Sequence, residues 1–351
     1  MNPCKSGEYG YIFHPSIHVN NGIIQEDASE QYITKIQKDH NETLIEIEIG
    51  KIVQSLPHYE HYYAPIMSSE QVYISPTMGF THRIQEKNKP KNSVYISNKI
   101  RYVGQNNIDH HLTKLCGTIY PLKKILNTHL HLLEAIEKLQ SKNIIHMDLK
   151  CNNVMWDDIQ HIPVIIDFGL SRIMDVENPP VNKDFFISYE NYEYWCIDIY
   201  IISQIVHDPS LSLQDDVNLQ TLKRMYNTFL NNAHFTLLGK HELRKMEIEY
   251  TNYFSRYTQK TWGQLVHQLL KSYKSWDNYS LSIIYLYVIT KSLKPISMNR
   301  YTDEGKRLGQ WEQLLRSYRG VLQETLMSTP DKRPDPQSTR LDLLQMFSSA
   351  F

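Results

Sequence analysis

An α+β fold, sheet-rich before residue 104 and helical after it, is what this sequence predicts. Three observations carry the prediction. Gln31 to Ile36 alternates as a strand does, and Val72-Tyr73-Ile74, Val94-Tyr95-Ile96 and Ile100 to Val103 are further strand pieces. Asn41 to Leu56 places Ile45, Ile49, Ile52, Val53 and Leu56 on one face of a helix. Beyond Gly104 the pattern turns helical, beginning with the stripe Leu126, Leu130, Leu133 and Ile136.

The chain has 351 residues, 41% hydrophobic and 21% charged, enough for one large or two modest domains. A net charge of −1 provides no basic field for nucleic acid or an anionic membrane, so neither is expected as a partner. Four scattered cysteines (Cys4, Cys116, Cys151, Cys196) lack paired spacing, which points to a reducing compartment. The start, Met1 to Lys5, lacks the apolar core of a signal peptide, and no glycine follows Met1 for myristoylation. The most apolar segment, Leu281 to Ile289, is too short to span a bilayer, and the expected location is cytoplasmic. None of the 16 histidines falls into zinc-finger spacing, so they read as solvated or packed side chains. No internal repeat is visible.

The chemistry concentrates in Ile144 to Val154, which contains His146-Met147-Asp148-Leu149-Lys150-Cys151-Asn152-Asn153, and in Asp167-Phe168-Gly169 behind the run Val164-Ile165-Ile166. Two short strands are implied, one near Val154 and Met155 and one ending near Ile166, with both loops at the strand ends. Asp148, Asn153 and Asp167 are then expected in one pocket. Asp148 can accept a hydrogen bond from a substrate hydroxyl, and Lys150 can neutralise charge on a transferred phosphoryl group. Asn153 and Asp167 supply oxygen atoms, which suit Mg²⁺. Phosphoryl transfer asks a protein mainly for positioning and charge stabilisation, and this set provides both. The pattern H-x-D-L-K-x-x-N followed by D-F-G resembles the eukaryotic-type protein kinase family.

The resemblance implies a bilobal α+β protein that uses ATP and Mg²⁺ and acts on a protein substrate. A small β-rich N-lobe would run over residues 1–104 and a larger α-helical C-lobe over 105–351. Taking the elements in order, Ser6 to Phe13 is similar to the later part of the family's glycine-rich loop. Gly7 and Gly10 stand at its second and third glycines, Tyr9 at its tip, and Lys5 where the first glycine would be. The strand ending at Ile36 resembles V-A-I-K, which makes Lys35 the lysine that holds the α- and β-phosphates. The helix from Asn41 would supply its glutamate partner. Glu42, Glu46 and Glu48 compete, with Glu46 fitting the family spacing best and Glu48 next. Lys87 to Asn92 reads as a basic turn. Gly104 would mark the lobe boundary, after a hinge whose backbone hydrogen-bonds adenine.

Past Gly169 the resemblance loosens. There is no A-P-E, and Tyr189-Glu190 and Tyr192-Glu193 are its nearest substitutes. Trp195 to Tyr200 resembles the start of the family's αF helix, where Asp198 would support the catalytic-loop backbone. Thr329 to Pro334 resembles D-x-x-x-R-P with Thr329 in place of the aspartate, and Arg333 would pair with Glu190 or Glu193. A helical insertion then falls at about 207–322. Its stripes, Leu222, Met225, Tyr226, Phe229, Leu230 and Trp262, Leu265, Val266, Leu269, Leu270, Tyr273, serve either as core of an enlarged lobe or as a docking groove for a regulatory partner. The resemblance covers about residues 5–206 and 323–340.

The expected function is ATP-dependent phosphorylation of protein Ser or Thr, since Lys150 follows Asp148-Leu149 where tyrosine kinases carry D-L-x-A-A-R. The rival is a pseudokinase, a binding module without turnover, suggested by Lys5, the missing A-P-E and the insertion. Met147 stands where much of the family has an arginine balanced by an activation-loop phosphate, so independence from such a phosphate is expected, with Phe185, Phe186, Tyr189 and Trp195 packing the segment instead. Tyr-, Asn- and Ile-rich usage, the short N-terminus and the insertion look like kinases of large DNA viruses.

Overall fold

The computed structural model describes residues 5–7, 10–20, 23–26, 29–73, 94–113, 121–175, 177–189, 192–292 and 303–350. Tyr9, Ile74, the Lys87–Asn92 turn and Glu190 lie outside them. In chain order the elements are β1 (Lys5–Gly7), β2 (Gly10–Phe13), β3 (Ile17–Asn20), β4 (Ile23–Glu26), β5 (Tyr32–Lys38), α1 (Asn41–Gln54), β6 (Tyr63–Ala64), β7 (Ile66–Tyr73) and β8 (Val94–Arg101). There follow α2 (Ile108–Thr113), α3 (Pro121–Gln140), β9 (Ile144–Ile145), β10 (Val154–Asp157), β11 (Ile162–Ile166) and β12 (Arg172–Ile173). The chain closes with α4 (Ile197–His207), α5 (Leu219–Leu230), α6 (Lys240–Ser255), α7 (Trp262–Leu270), α8 (Trp276–Ser292), α9 (Asp303–Met327) and α10 (Pro336–Ala350).

These elements form two compact units, residues 1–105 with 155–172, and residues 106–154 with 173–351. The division differs from the one expected, which kept everything after 104 together. Residues 155–172, Asp167 included, fall in the first unit because β11 pairs in parallel with β6, Ile165 opposite Tyr63.

The first unit is built on an antiparallel sheet of order β1-β2-β5-β8-β7. Phe13, Ile17, Ile36, Val72 and Tyr95 form one apolar cluster of this unit, and Ala64, Ile66, Ile100 and Val164 another. In α1 the predicted stripe faces inward at Ile49 and Val53, and Leu56 just beyond the helix is buried too, while Glu48 is exposed. Gly10, with φ +145°, lies against β5, where an added Cβ would stand 2.4 Å from the Ile36 carbonyl oxygen. Only glycine fits so close an approach.

The second unit is helical. Thr261 and Gln264 cap α7 reciprocally, and the Asn218 side chain caps α5. Leu222, Met225, Tyr226 and Phe229 are buried, as are Trp262, Leu265, Val266, Leu269, Leu270 and Tyr273. Apart from half-buried Leu230, both stripes are therefore core of the helical unit, the first of the two readings the sequence allowed. Helix α8 is buried on every side from Trp276 to Leu286, where Asn278 Nδ2 donates to Pro334 O (2.9 Å) and Thr339 Oγ1 (2.8 Å). Among the described residues, no helix is long and apolar enough to cross a membrane.

Two histidines of this unit are packed in the core. His129 stacks on Tyr285 at 4.2 Å and hydrogen-bonds through Nδ1 to the Tyr318 hydroxyl at 2.9 Å. His234 Nε2 meets the Tyr279 hydroxyl at 3.0 Å. Burial pushes both imidazoles down to about 3. The unfolded chain takes up these protons near pH 6.5 and the native protein does not, so the stability is complete above about 6.5 and falls as the pH drops towards 3. His129→Gln keeps a partner for Tyr318 and removes the titration. Urea melts at pH 7.5 and pH 5 should show the wild type losing about 2 kcal/mol more than this variant. Equal losses would mean that His129 does not resist protonation.

Candidate active site

In the second unit the catalytic-loop stretch is held by its backbone. The Asp277 carboxylate accepts from His146 N (2.8 Å) and Met147 N (3.0 Å), and Trp195 Nε1 donates to Met147 O (2.8 Å). Met147 has φ +60°, unusual for a side chain of this size, and the three bonds fix the turn there. Asp277 is fully buried, and burial raises its pKa despite the opposing pull of His146 and the two backbone donors.

The turn delivers Asp148, only 5% exposed, into a set of donors. Lys150 Nζ donates to Oδ1 (2.9 Å) and Oδ2 (3.0 Å), and Asn153 Nδ2 donates to Oδ2 (2.7 Å) and to the Asp148 carbonyl (2.9 Å). The Tyr192 hydroxyl donates to Oδ1. The sequence stretch thus assembles Asp148, Lys150 and Asn153 locally. Asn153 spends its amide nitrogen on Asp148, which leaves its amide oxygen to ligate a cation.

Here two expectations are overturned. Asp198 does not support the loop; Asp277, at the start of α8, does. Arg333, expected to pair with Glu190 or Glu193, pairs with Asp198, Nη2 to Oδ2 at 2.8 Å with both side chains fully buried. Trp276 Nε1 also donates to Asp198 Oδ1 at 3.3 Å. The long helical stretch α5 to α7 consequently precedes the loop-supporting helix instead of following it. A sequence signal for Asp277 exists: an acidic residue stands one helical turn before the most apolar segment of the chain, where a buried carboxylate needs donors. Tyr192 carries no such signal, because its partner is fixed only by the path of the segment.

The segment before α4 is packed as expected. Phe186 meets Trp276 edge-on at 6.0 Å, and its carbonyl bonds His207 Nε2 at 2.7 Å. Ser188 is exposed.

The first unit carries the other cluster. Lys35 Nζ lies 2.9 Å from Glu46 Oε1 and 2.9 Å from Asp167 Oδ1. Gln37 Nε2 donates to Glu46 Oε2 (3.2 Å), and Asn98 Nδ2 to Gln37 Oε1 (2.8 Å). Of the three glutamates only Glu46 is buried, so it is the one that reaches Lys35. Burial works against the Lys35 ammonium, but Glu46 and Asp167 outweigh it and keep the lysine charged. Burial raises Glu46, with Lys35 opposing. Asp167 has a φ of +63° and remains 40% exposed, which leaves carboxylate oxygen accessible to a hard cation. Gly7 lies opposite Gly10 across the β1–β2 pair.

The burial of Lys35 changes what its substitution does. Lys35→Met does not remove a surface charge; it leaves buried Glu46 without its cation. Denaturant melts should show a loss of roughly 3 kcal/mol in the first unit's stability. Lys35→Met with Glu46→Gln should recover part of it. A neutral Lys35→Met would mean that Glu46 is already protonated.

Residues 30–193 match the family model described as the protein kinase domain. Over 78 residues the chain is 28% identical to "Serine/threonine-protein kinase Nek7" of Arabidopsis thaliana, covering 22% of this chain and 14% of that protein. Over 75 residues it is 31% identical to "Serine/threonine-protein kinase Nek8" of Danio rerio, covering 21% and 11%. The chain thus matches only a small part of those relatives' length. With the sheet-bearing first unit and the helical second one, these matches support a protein kinase of the eukaryotic type.

Proposed function

We propose that this chain is an active kinase that transfers the γ-phosphoryl group of ATP to Ser or Thr hydroxyls of protein substrates. The observation that carries the reading is the Asp148 carboxylate, held by Lys150 and Asn153 on a loop pinned by Asp277. A carboxylate so fixed can orient a hydroxyl and take its proton. Lys150 beside it can neutralise charge on the phosphoryl oxygens. Lys35, kept protonated by Glu46 and Asp167, has the chemistry to hold nucleotide phosphates, and Gly7 and Gly10 allow backbone to approach them. Asp167 and Asn153 offer the oxygen atoms that Mg²⁺ prefers, and the bound ion would neutralise phosphate charge. Lys150 after Asp148-Leu149 favours Ser and Thr over Tyr.

The pseudokinase reading draws on Lys5 in the glycine-rich stretch and on the missing A-P-E. The second argument weakens once Asp198 is seen to make the buried pair with Arg333. The test is transfer of labelled phosphate from Mg·ATP to casein, followed by phosphoamino-acid analysis. Phosphoserine or phosphothreonine is expected, absent in Asp148→Asn. Nucleotide binding with no transfer would install the pseudokinase reading.

A further inference from the structure

Asp148 has no place left for an incoming hydroxyl. Its Oδ2 accepts from Lys150 and Asn153, and its Oδ1 from Lys150 and the Tyr192 hydroxyl. Of these donors, only Tyr192 is itself a hydroxyl. It comes from the segment after the D-F-G turn, and its ring is caged by Trp195 at 5.0 Å and Tyr189 at 5.7 Å. Trp195 is in turn bonded to the catalytic loop at Met147. The Lys150 ammonium lies 5.7 Å from the centre of the Tyr192 ring. Burial, then the Asp148 charge, pushes the Tyr192 hydroxyl far above its ordinary range, so it stays protonated and remains a donor.

We propose that Tyr192 occupies the acceptor-hydroxyl position on Asp148, so that the chain's own tyrosine must leave before a substrate hydroxyl can enter. The inference deepens the kinase reading and rests on its assignment of Asp148. A competing internal donor raises the substrate concentration needed to engage Asp148 without altering the chemistry that follows. A tyrosine that merely steadied Asp148 would do the reverse, since its loss would slow the chemical step.

Tyr192→Phe keeps the ring in its cage and deletes the hydroxyl; an unchanged thermal melt establishes that it is folded. With casein and Mg·ATP, the gate predicts a lower KM for casein and kcat/KM higher by about tenfold, the scale of a lost hydrogen bond to a charged group. A lower kcat at unchanged KM overturns it. A second measurement needs no turnover. Asp148 is coupled to glycinamide by a water-soluble carbodiimide without nucleotide, and the product is mapped by mass spectrometry. The gate predicts labelling at least about threefold faster in Tyr192→Phe, as one of two donors on Oδ1 is gone. Equal labelling rates overturn the gate whatever casein shows. Faster labelling with no phosphate transfer by either protein supports the gate and overturns the proposed kinase activity instead.

Discussion

Asp148→Asn should lower the rate of phosphate transfer by roughly two to four decades while nucleotide affinity stays within a small factor of wild type. The substitution preserves shape and removes the charge that Lys150 and Asn153 converge on. The new amide must turn an N–H towards a group that is itself a donor there, and it cannot accept a proton from a substrate hydroxyl. Because Asp277 holds the loop through backbone donors, the variant keeps the turn and stays folded. Asp167→Asn makes the contrast: it should weaken productive Mg·ATP binding first, because the proposed Mg²⁺ ligand and partner of Lys35 loses its charge. Stopped-time assays with nucleotide titrations separate the two. Wild-type rates in Asp148→Asn would move the catalytic assignment to another residue.

Arg333→Met should cost about 3–5 kcal/mol, because it strands the Asp198 carboxylate in a fully buried site. Burial alone would lower the Arg333 pKa; Asp198 beside it reverses the direction and keeps the guanidinium charged. The arginine also lies 5.3 Å from the Tyr279 ring centre, so methionine loses that contact too. The double variant Asp198→Asn with Arg333→Met should recover much of the loss, because no unpaired charge then remains. Urea midpoints of the wild type, both single variants and the double variant give the coupling. A single-variant loss under about 1 kcal/mol would show that water or another donor reaches Asp198.

What the sequence by itself determined is local. The run His146 to Asn153 determined the members of its own cluster, because Asp148, Lys150 and Asn153 stand within six residues of one another and their side chains can meet locally. The periodicity of Asn41 to Leu56 fixed which face of α1 is apolar, and Glu46 follows from that register. The ordering of sheet before helix was legible for the same reason, since strand and helix periods are read over a few residues. Only tertiary structure decided what grips the loop and what closes the buried charges. Asp277 lies 131 residues from His146, and its contact depends on α8 being buried on all sides from Trp276 to Leu286, which local spacing cannot specify. Asp198 and Arg333 find each other across α5 to α9, where the sequence pointed to Glu190 or Glu193 as the partner of Arg333. The assignment of Asp167 to the first unit came from the pairing of β11 with β6, a choice of strand neighbour. Tyr192 reaches Asp148 with its ring packed on Trp195, which is itself bonded to Met147 of the same loop. Charges and hydroxyls act over ångströms, and it is the packing of distant apolar faces that sets those distances.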